Sequence, residues 1–449
     1  MVNRRDFLKG SIIASAASAS GAAGVQAAAK ETRAPRAWPV PLIASAPVLQ
    51  NAAETSMGVS FAVSADASGW VEYSKFPDMR DAARAFSGGS GLMTIHDKVA
   101  LVRVTGLEPA TKYYYRIGAD RIEFKGGYAM KNLGAETGPK VHSFTTLGSA
   151  ASGSFCVIND THDQKPALDL LLSKLAEIKP AAVIWNGDAC NTTEKIEQAI
   201  GIFINTHEKH PEYAADTPYM FINGNHDYRG RFNRRLNDLV MFRDAAERKG
   251  EYAELGRNFV QRLGDIALIG LDTGEDKLDT NPAFAGIFKM KGYREKQARW
   301  LAEAIETEAV RGAKFKVAFC HIPLFDSDPR HNPGDVAPAD KDPRYTHDFA
   351  IWQRTCANLW GPFFEKAGVQ LVIAGHQHRY RYDAPAAGRK WAQIVGGGPE
   401  LGVGGYGGAA RPDAGRFPTV IEGKVAGGRL VVTAHDVYNR KIAGEYVFA

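Results

Sequence analysis

Two patterns of hydrophobic positions divide the chain near residue 150. Before it, apolar and polar residues alternate in short segments that start at Met57, Val99 and Tyr113, and turn residues separate these segments. A period of two is typical of strands that bury one face. Several short strands with turns between them predict an antiparallel β-sandwich. We therefore predict a small all-β domain over residues 30–149.

After residue 150, continuous apolar runs alternate with helical patterns. Leu168, Leu171, Leu172 and Leu175 fall on one face of a predicted helix, and a second predicted helix surrounds Leu301. The apolar runs suit buried strands and cover residues 155–158, 182–185, 219–222, 266–271, 316–320 and 371–374. The tail, from about residue 419 to 448, is predicted to form returning strands. This alternation predicts a layered α/β domain over residues 150–449, with helices covering a central sheet.

Side chains that can bind metal ions follow five of these strands directly. They are Asp160 with His162, Asp188, Asn225 with His226, His321, and His376 with His378. Each motif alone is a common turn or surface pair, but the carboxyl ends of strands in an open α/β sheet meet at one edge. Five such strand ends in one chain predict a metal centre. Nitrogen and oxygen ligands without a thiolate favour zinc, manganese or iron.

Together, these motifs resemble the pattern of the calcineurin-like metallophosphoesterase superfamily over roughly residues 153–398. As they stand here, they are Asp160-Thr-His162, Gly187-Asp188, Gly224-Asn225-His226-Asp227, His321 and Gly375-His376-Gln-His378. The resemblance implies a layered α/β metallophosphoesterase fold with two metal ions. It assigns Asp160, His162 and His378 to one ion, Asn225, His321 and His376 to the other, and Asp188 to a bridge between them.

The same resemblance implies the chemistry. A hydroxide that bridges the two ions would attack the phosphorus of a phosphomonoester. His226 would be the general acid, and Asp227 would orient its imidazole and keep it protonated. Tyr228 and Arg229 are candidate substrate-binding residues, although solvated loop charges are an equal interpretation.

The N-terminal region carries its own resemblance. The sequence Leu107-Glu-Pro-Ala-Thr-Lys-Tyr-Tyr-Tyr resembles a fibronectin type III corner, with Tyr113 or Tyr115 as its buried tyrosine. Such a domain ahead of the metal motifs is similar to the arrangement in purple acid phosphatases. Those enzymes have Asp-x-Gly first and a tyrosine three residues after the bridging Asp, where this chain has His162 and Asn191. The iron–tyrosinate colour is therefore not expected.

The first 29 residues resemble a twin-arginine signal. Arg4-Arg5-Asp6-Phe7-Leu8-Lys9 precedes a weakly apolar run and small residues suited to cleavage. An ordinary secretory signal with two arginines is the alternative interpretation. The pattern predicts recognition by the twin-arginine export machinery and a periplasmic or secreted protein. No later stretch is long and apolar enough to predict a transmembrane segment in the mature chain.

Composition narrows the class of protein further. Hydrophobic residues make up 45% and charged residues 23%, as in ordinary globular proteins. The formal charge is +5, and the first nine residues contribute +2 of it, which leaves +3. So small and scattered an excess predicts no nucleic-acid partner or scaffold role. Three of the four cysteines lie in or beside apolar runs, so we expect buried thiols rather than disulfides.

Two other functions fit the same motifs. One is a phosphodiesterase of the same fold acting on nucleotides, nucleic acid or phospholipid headgroups. The choice between monoester and diester depends on the pocket walls, which the insertions at 207–216 and 326–348 would build. The other is a non-catalytic module that binds an envelope component. His207 and His210 are predicted to be surface residues. The Gly-rich run at 396–408 is interpreted either as a loop that wraps the substrate or as a plain loop.

Overall fold

The computed structural model describes residues 40–240, 250–326, 347–401 and 415–449. The predicted signal at residues 1–29 lies outside these ranges, as do most of the insertion at 326–348 and the second half of the Gly-rich run. Within these ranges, residues of the two largest sheets share one hydrophobic core, and Phe155 meets Phe319 edge-on at its centre. Helices cover the two outer faces. The result is a layered α/β architecture preceded by β-structure.

Short strands make up the N-terminal region. They are β1 (Val48–Gln50), β2 (Ser56–Ala62), β3 (Ala67–Ser74), β4 (Ala83–Phe86), β5 (Gly88–Gly89), β6 (Leu92–Met93), β7 (Val99–Thr105), β8 (Lys112–Phe124), β9 (Met130–Thr137) and β10 (His142–Thr145). Four of them form a sheet in the order β10-β8-β3-β4, with β9 paired to β8. Apolar residues at alternate positions of β8 are buried, as the period of two predicts.

The strands after residue 150 complete the two large sheets. They are β11 (Phe155–Ile158), β12 (Ala182–Asn186), β13 (Tyr219–Ile222), β14 (Phe259–Leu263), β15 (Ile266–Leu271), β16 (Phe315–Cys320), β17 (Leu371–Ala374), β18 (Arg381–Asp383), β19 (Ala392–Val395), β20 (Thr419–Ala426), β21 (Arg429–Asp436) and β22 (Lys441–Phe448). One sheet has the order β22-β21-β20-β11-β12-β13-β1-β2-β7 and the other β14-β15-β16-β17-β19-β18.

The helices are α1 (Lys165–Ile178), α2 (Ile196–Phe203), α3 (Met290–Ala304), α4 (Glu308–Arg311) and α5 (His347–Ala367). A proline in its first turn starts α1, and Lys179 ends it in a left-handed conformation. Its buried leucines pack on the nine-stranded sheet together with α2. Leu301 of α3 and Trp360 of α5 cover the six-stranded sheet. Both predicted helices are therefore present, and each buries its apolar face.

The nine-stranded sheet joins the N-terminal region to the rest of the chain. Strand β1 pairs in parallel with β13, and β2 and β7 extend the sheet beyond it. The Tyr115 hydroxyl also donates to the carbonyl of Ala215 at 2.7 Å. The predicted boundary at residue 149/150 is crossed by hydrogen bonds, and the boundary itself stays a prediction.

The predicted fold class, layered α/β with an N-terminal all-β region, is confirmed. The strand at 316–320 begins one residue earlier than predicted, and the strand at 182–185 ends one residue later. Tyr113 is buried and its hydroxyl accepts from the Glu108 N–H, five residues upstream. That contact suits the predicted corner, while the fibronectin type III assignment stays a prediction. The four cysteines are buried and free. In the described ranges, no helix combines the length and apolar character needed to cross a membrane.

Candidate metal centre

The predicted ligands lie at the carboxyl ends of strands in both large sheets. Strands β11, β12 and β13 run parallel in the first sheet, and β16 and β17 run parallel in the second. The turns after these five strands carry all seven predicted ligands. The arrangement expected from the sequence, with five strand ends at one place, is therefore present.

The backbone of these turns is strained. Five of the seven predicted ligands have a positive φ: Asp160 (48°), His162 (45°), Asp188 (50°), His376 (72°) and His378 (52°). Such values are uncommon for residues with a side chain and cost about 1–3 kcal/mol each. The packing of the two sheets must hold these turns, and the strain aims the polar side chains at one point.

The turns also approach each other so closely that some positions must be glycine. A Cβ at Gly375 would lie 2.5 Å from Asp160 Oδ2, and one at Gly224 would lie 2.2 Å from Asp188 Oδ1. Both distances are far below van der Waals contact. The glycines of the Gly-Asn-His and Gly-His-x-His motifs therefore make room for the carboxylates of other turns.

Two groups of candidate ligand atoms lie side by side and share one carboxylate. Asp160, His162, Asp188 and His378 form the first group, and Asp188, His321 and His376 form the second, each with its ligand atoms within 4.8 Å of one another. His162 Nε2 lies 3.6 Å and His321 Nε2 3.2 Å from Asp188 Oδ2. Asp188 therefore occupies the position expected of a shared ligand.

Hydrogen bonds direct one oxygen of each carboxylate toward the centre. Asp160 Oδ2 accepts from the His376 N–H at 2.7 Å, and Asp188 Oδ1 accepts from the His226 N–H at 2.8 Å. Asp160 Oδ1 and Asp188 Oδ2 are the oxygens that lie among the histidines. Backbone N–H groups thus fix each carboxylate while its second oxygen stays available to a ligand.

The histidines of the first group point their Nε2 atoms at each other. His378 Nδ1 lies 3.0 Å from the Glu400 carboxylate and His162 Nδ1 lies 2.8 Å from Asn191 Oδ1. Both oxygens are acceptors, so each Nδ1 carries a proton and each Nε2 is the nitrogen that faces inward. The two Nε2 atoms lie only 2.8 Å apart. Because the neighbouring carboxylates raise the pKa of His378, a proton occupies this contact in the metal-free protein, and a metal ion would take the place of that proton when bound.

The second group also directs a histidine nitrogen toward the carboxylates. His321 Nδ1 donates to the Asn186 carbonyl at 2.9 Å, so its Nε2 is the nitrogen that faces the carboxylates of Asp160 and Asp188. Asn225 Oδ1 lies 2.8 Å from His376 Nδ1. All seven predicted ligands are thus brought together.

Buried polar atoms without partners support a cation at this point. Asp160 Oδ1 and His321 Nε2 are both inaccessible to solvent and lack a hydrogen bond of good geometry, although His321 Nε2 lies 3.2 Å from Asp188 Oδ2. Buried polar atoms are normally satisfied, because leaving one without a partner is costly. Together with the carboxylate and imidazole donors, these atoms fit a divalent metal ion.

The electrostatics of the protein alone lead to the same conclusion. Burial would raise the pKa of Asp160, but the charges of His321 and His378 lower it to about 2. Although burial lowers the pKa of His321 and His378, the neighbouring carboxylates raise it to about 10. The buried carboxylates therefore require positive charge beside them, which protons supply here and a metal ion would supply when bound.

The environment of His226 corrects one expectation. Its Nδ1 donates to the carbonyl of Asn191 at 3.0 Å, and Arg229 Nη1 lies 3.0 Å from its Nε2. The Asp227 carboxylate instead accepts from the N–H groups of Ala189 and Gly224, so it holds backbone rather than the His226 ring. The Asn191 carbonyl takes the orienting role that the sequence suggested for Asp227.

Tyr228 and Arg229, the two candidate substrate-binding residues, point in different directions. Arg229 reaches the His226 ring and also pairs with Glu275 and Asp276, each at 2.8 Å. The Tyr228 hydroxyl donates to Asp272, and the Tyr228 ring lines a separate cleft. Only Arg229 therefore contacts the catalytic candidate.

Several residues that support the site escaped sequence reasoning. Glu400 lies in the Gly-rich run, is buried, and accepts from His378. Asn159 Nδ2 donates to Asp160 at 2.6 Å and to the Gly397 carbonyl at 3.1 Å, so the described part of that run packs behind the ligands. A single Glu within a glycine-rich segment was the sequence feature that could have indicated this supporting role. Its partner, 22 residues away, was not visible in the sequence.

Comparison with known proteins identifies the family of the chain. The Calcineurin-like phosphoesterase family matches residues 153–380, which is more than half of the chain. None of the curated proteins matches the sequence. Purple acid phosphatase PPD1 from yellow lupin (Lupinus luteus) seeds has a similar structure, with a TM-score of 0.58 and 13% identity over 89% of this chain and 73% of that one. PhoD is similar with a TM-score of 0.57 and 11% identity over 91% of this chain and 90% of that one. The chain belongs to the calcineurin-like phosphoesterase family.

Proposed function

We propose that the chain is an exported phosphoesterase that uses two metal ions to hydrolyse phosphomonoesters. The observation that carries the proposal is the 2.8 Å approach of His162 Nε2 and His378 Nε2 beside two buried carboxylates. Two buried carboxylates with inward-facing histidine nitrogens beside them need positive charge at this point, which a metal ion would supply. Membership of the phosphoesterase family makes phosphoester hydrolysis the reaction for which the cation is used.

Each proposed ion has its own ligands. Asp160, His162 and His378 would hold the first, Asn225, His321 and His376 would hold the second, and Asp188 would contribute to both. Manganese, iron and zinc all suit such a mixture of imidazole, amide and carboxylate donors. When bound, the ions would lower the pKa of a water ligand and offset negative charge on the phosphate oxygens.

The remaining steps belong to side chains of this protein. Hydrolysis releases an alcohol, so a proton must reach the leaving oxygen. His226 Nε2 is the proposed donor, because the Asn191 carbonyl fixes the proton of the opposite ring nitrogen. Arg229 Nη1 lies 3.0 Å from that Nε2, so the guanidinium has to yield this position when His226 acts as an acid.

Arg229 also has a place in substrate binding. Glu275 and Asp276, both buried, hold its guanidinium beside His226. A terminal phosphate group carries up to two negative charges, and guanidinium groups bind phosphate with paired hydrogen bonds. We propose that Arg229 binds the terminal phosphate group, which favours a monoester over a diester with its single charge.

Export is part of the proposal. The Arg4-Arg5-Asp6-Phe7-Leu8-Lys9 segment supports recognition by the twin-arginine machinery and a periplasmic or secreted location. Replacing Arg4 and Arg5 with Lys should keep the uncleaved precursor inside the cell. Normal appearance of the processed protein outside the cytoplasm would contradict this route.

The deciding experiment measures metal content per chain together with hydrolysis of an aryl phosphate monoester and an aryl phosphate diester. We expect two metal ions and faster turnover of the monoester. Preference for the diester would replace the proposal with a phosphodiesterase. Absence of metal and of turnover, even after reconstitution with manganese, iron and zinc, would favour the non-catalytic binding module.

A further inference from the structure

An open cleft lies between the N-terminal region and the segment that follows His226. It has a volume of about 910 Å³. Phe86 and Arg103 line one wall, and Tyr228, Arg234 and Phe288 line the other. None of the seven predicted ligands lines it, so it is distinct from the metal centre.

Positive charge dominates this cleft. Arg103, Arg234, Arg257 and Lys289 line it, whereas Glu254 is the only acidic residue among the described lining residues. Glu254 already pairs with Lys296 on the nearby helix α3. Asp272, which accepts from the Tyr228 hydroxyl, offsets the charge of Arg257. Arg234 and Lys289 keep the potential of the cleft positive, and the cleft's low-dielectric walls strengthen that potential.

Two of the cations are placed to bind an anion. Arg234 and Lys289 are exposed, and neither forms an ion pair with any residue that the structure describes. The Arg234 guanidinium lies 5.1 Å from the centre of the Phe288 ring, and Arg257 lies 4.8 Å from that of Tyr228. Aromatic rings that already face guanidinium groups position those groups rather than offer a free stacking surface. The chemistry presented to a ligand is therefore that of an anion site.

The cleft and the candidate catalytic residue share a turn. His226 and Tyr228 are the two ends of one 3-10 helix, in which the chain rises about 2 Å per residue. The segment after β15 contacts both neighbours, because Asp272 accepts from Tyr228 and Asp276 pairs with Arg229. The cleft lining therefore begins two residues along the chain from the candidate catalytic residue.

We propose that this cleft binds a second phosphate group of the substrate. The proposal rests on the proposed function, and it names the substrate class as phosphate esters that carry a further phosphate apart from the one hydrolysed. Guanidinium and ammonium groups suit phosphate because they offer several N–H donors and full positive charge. Arg234 and Lys289 are the residues assigned to this contact.

Binding can be tested without turnover. Isothermal titration of inorganic pyrophosphate into the full-length, chelator-stripped protein reports anion binding in the absence of metal. For the double variant Arg234→Gln and Lys289→Gln we expect the dissociation constant to rise about tenfold, since two charge-assisted contacts are lost. The control double variant, Lys131→Gln and Lys441→Gln, removes the same charge at exposed positions outside the cleft and should leave the constant unchanged. Equal constants for the two double variants would overturn the proposal.

A kinetic measurement on the metal-loaded enzyme tests the same assignment. The cleft variant should raise KM about tenfold for a bisphosphate ester with a flexible alkyl linker and leave kcat unchanged. It should leave both constants unchanged for an aryl phosphate with one phosphate group. A KM increase of the same size for both substrates would refute a second phosphate site. Failure of the proposed function would show as absent turnover, while the pyrophosphate titration would still decide on the cleft.

Discussion

Two groups of Asp and His side chains in this molecule have similar composition and very different surroundings. Asp160, His162, Asp188 and His378 form one, at the strand ends, and Asp169, His207 and His210 form the other, between α1 and a surface loop. In both, the candidate ligand atoms lie within 4.8 Å of each other. Proximity of suitable residues alone therefore does not separate a metal centre from an ordinary polar cluster.

The partners of each group make the difference. Asp169 accepts from the Lys209 ammonium and pairs with His210, so its charge is already compensated. His207 Nδ1 accepts from the Lys209 backbone N–H at 3.2 Å, so its lone pair is used. At the strand ends, by contrast, Nδ1 of His378 and His321 faces an oxygen, and Nε2 faces inward. Only the group whose outer contacts direct histidine nitrogens inward is built for a cation.

The prediction that His207 and His210 lie at the surface is wrong for His207, which is buried. His207 is 7% exposed and packs against His210, which is half-buried. Their contacts to each other and to Asp169 tie the loop to helix α1. His331 of the other insertion lies outside the described residues.

The largest expected effect comes from the shared carboxylate. Asp188→Asn should abolish binding of at least one ion and lower kcat/KM about 10⁴-fold, because metal charge supplies several kcal/mol of transition-state stabilisation. Metal analysis and steady-state kinetics measure both. Asp169→Asn is the matched control and should change neither. Equal metal loss in the two variants would remove the distinction between the two groups.

A large effect on turnover alone is expected at His226. His226→Ala should lower kcat by about 10²-fold or more while metal content stays at the wild-type value, since a general acid acts in the reaction and its ring lies outside both ligand groups. Single-turnover rates with an aryl phosphate and metal analysis of the same preparation test this. Parallel loss of metal and activity would contradict the assignment.

A smaller effect should follow from changing the outer contact of His378. Glu400→Gln keeps the size of the side chain but removes the charge that the His378 Nδ1 proton faces at 3.0 Å. Metal affinity should fall about 10–100-fold, as for other residues that support a ligand. Competition with a chelator measures it. Glu422→Gln, which changes a Glu beside His435, is the control, and an equal loss there would show that general charge is responsible.

The smallest effect concerns the surface group and its pH dependence. Lys209 and His210 lower the pKa of Asp169 below its usual 3.8, so this carboxylate stabilises the fold at neutral pH and loses that contribution as pH falls. Asp169→Asn should lower the free energy of unfolding by less than about 1 kcal/mol at pH 7, because the pair is exposed. The difference from wild type should shrink as the pH falls below about 4 in chemical denaturation. A difference that grows toward low pH would contradict the lowered pKa of Asp169.

The hydrophobic pattern predicted most of the strands and helices, because burial on one face imposes a period that can be counted in a sequence. It did not predict that β1, β2 and β7 would extend the catalytic sheet. Edge-to-edge pairing depends on backbone hydrogen bonds, which any residue except proline can donate, so alternation reveals a strand but not its neighbour. The first predicted domain is consequently tied to the second by a continuous sheet.

At the site, the sequence by itself determined the ligand types and their location, since polar residues directly after buried strands must lie at one sheet edge. Tertiary structure alone decided the outer contacts. It placed the Glu400 carboxylate at His378 Nδ1 and the Asn191 carbonyl at His226 Nδ1. It also directed the Asp227 carboxylate to the N–H groups of Ala189 and Gly224. These contacts join segments far apart in the chain, and their geometry depends on strained turns that only the packed sheets can hold in place.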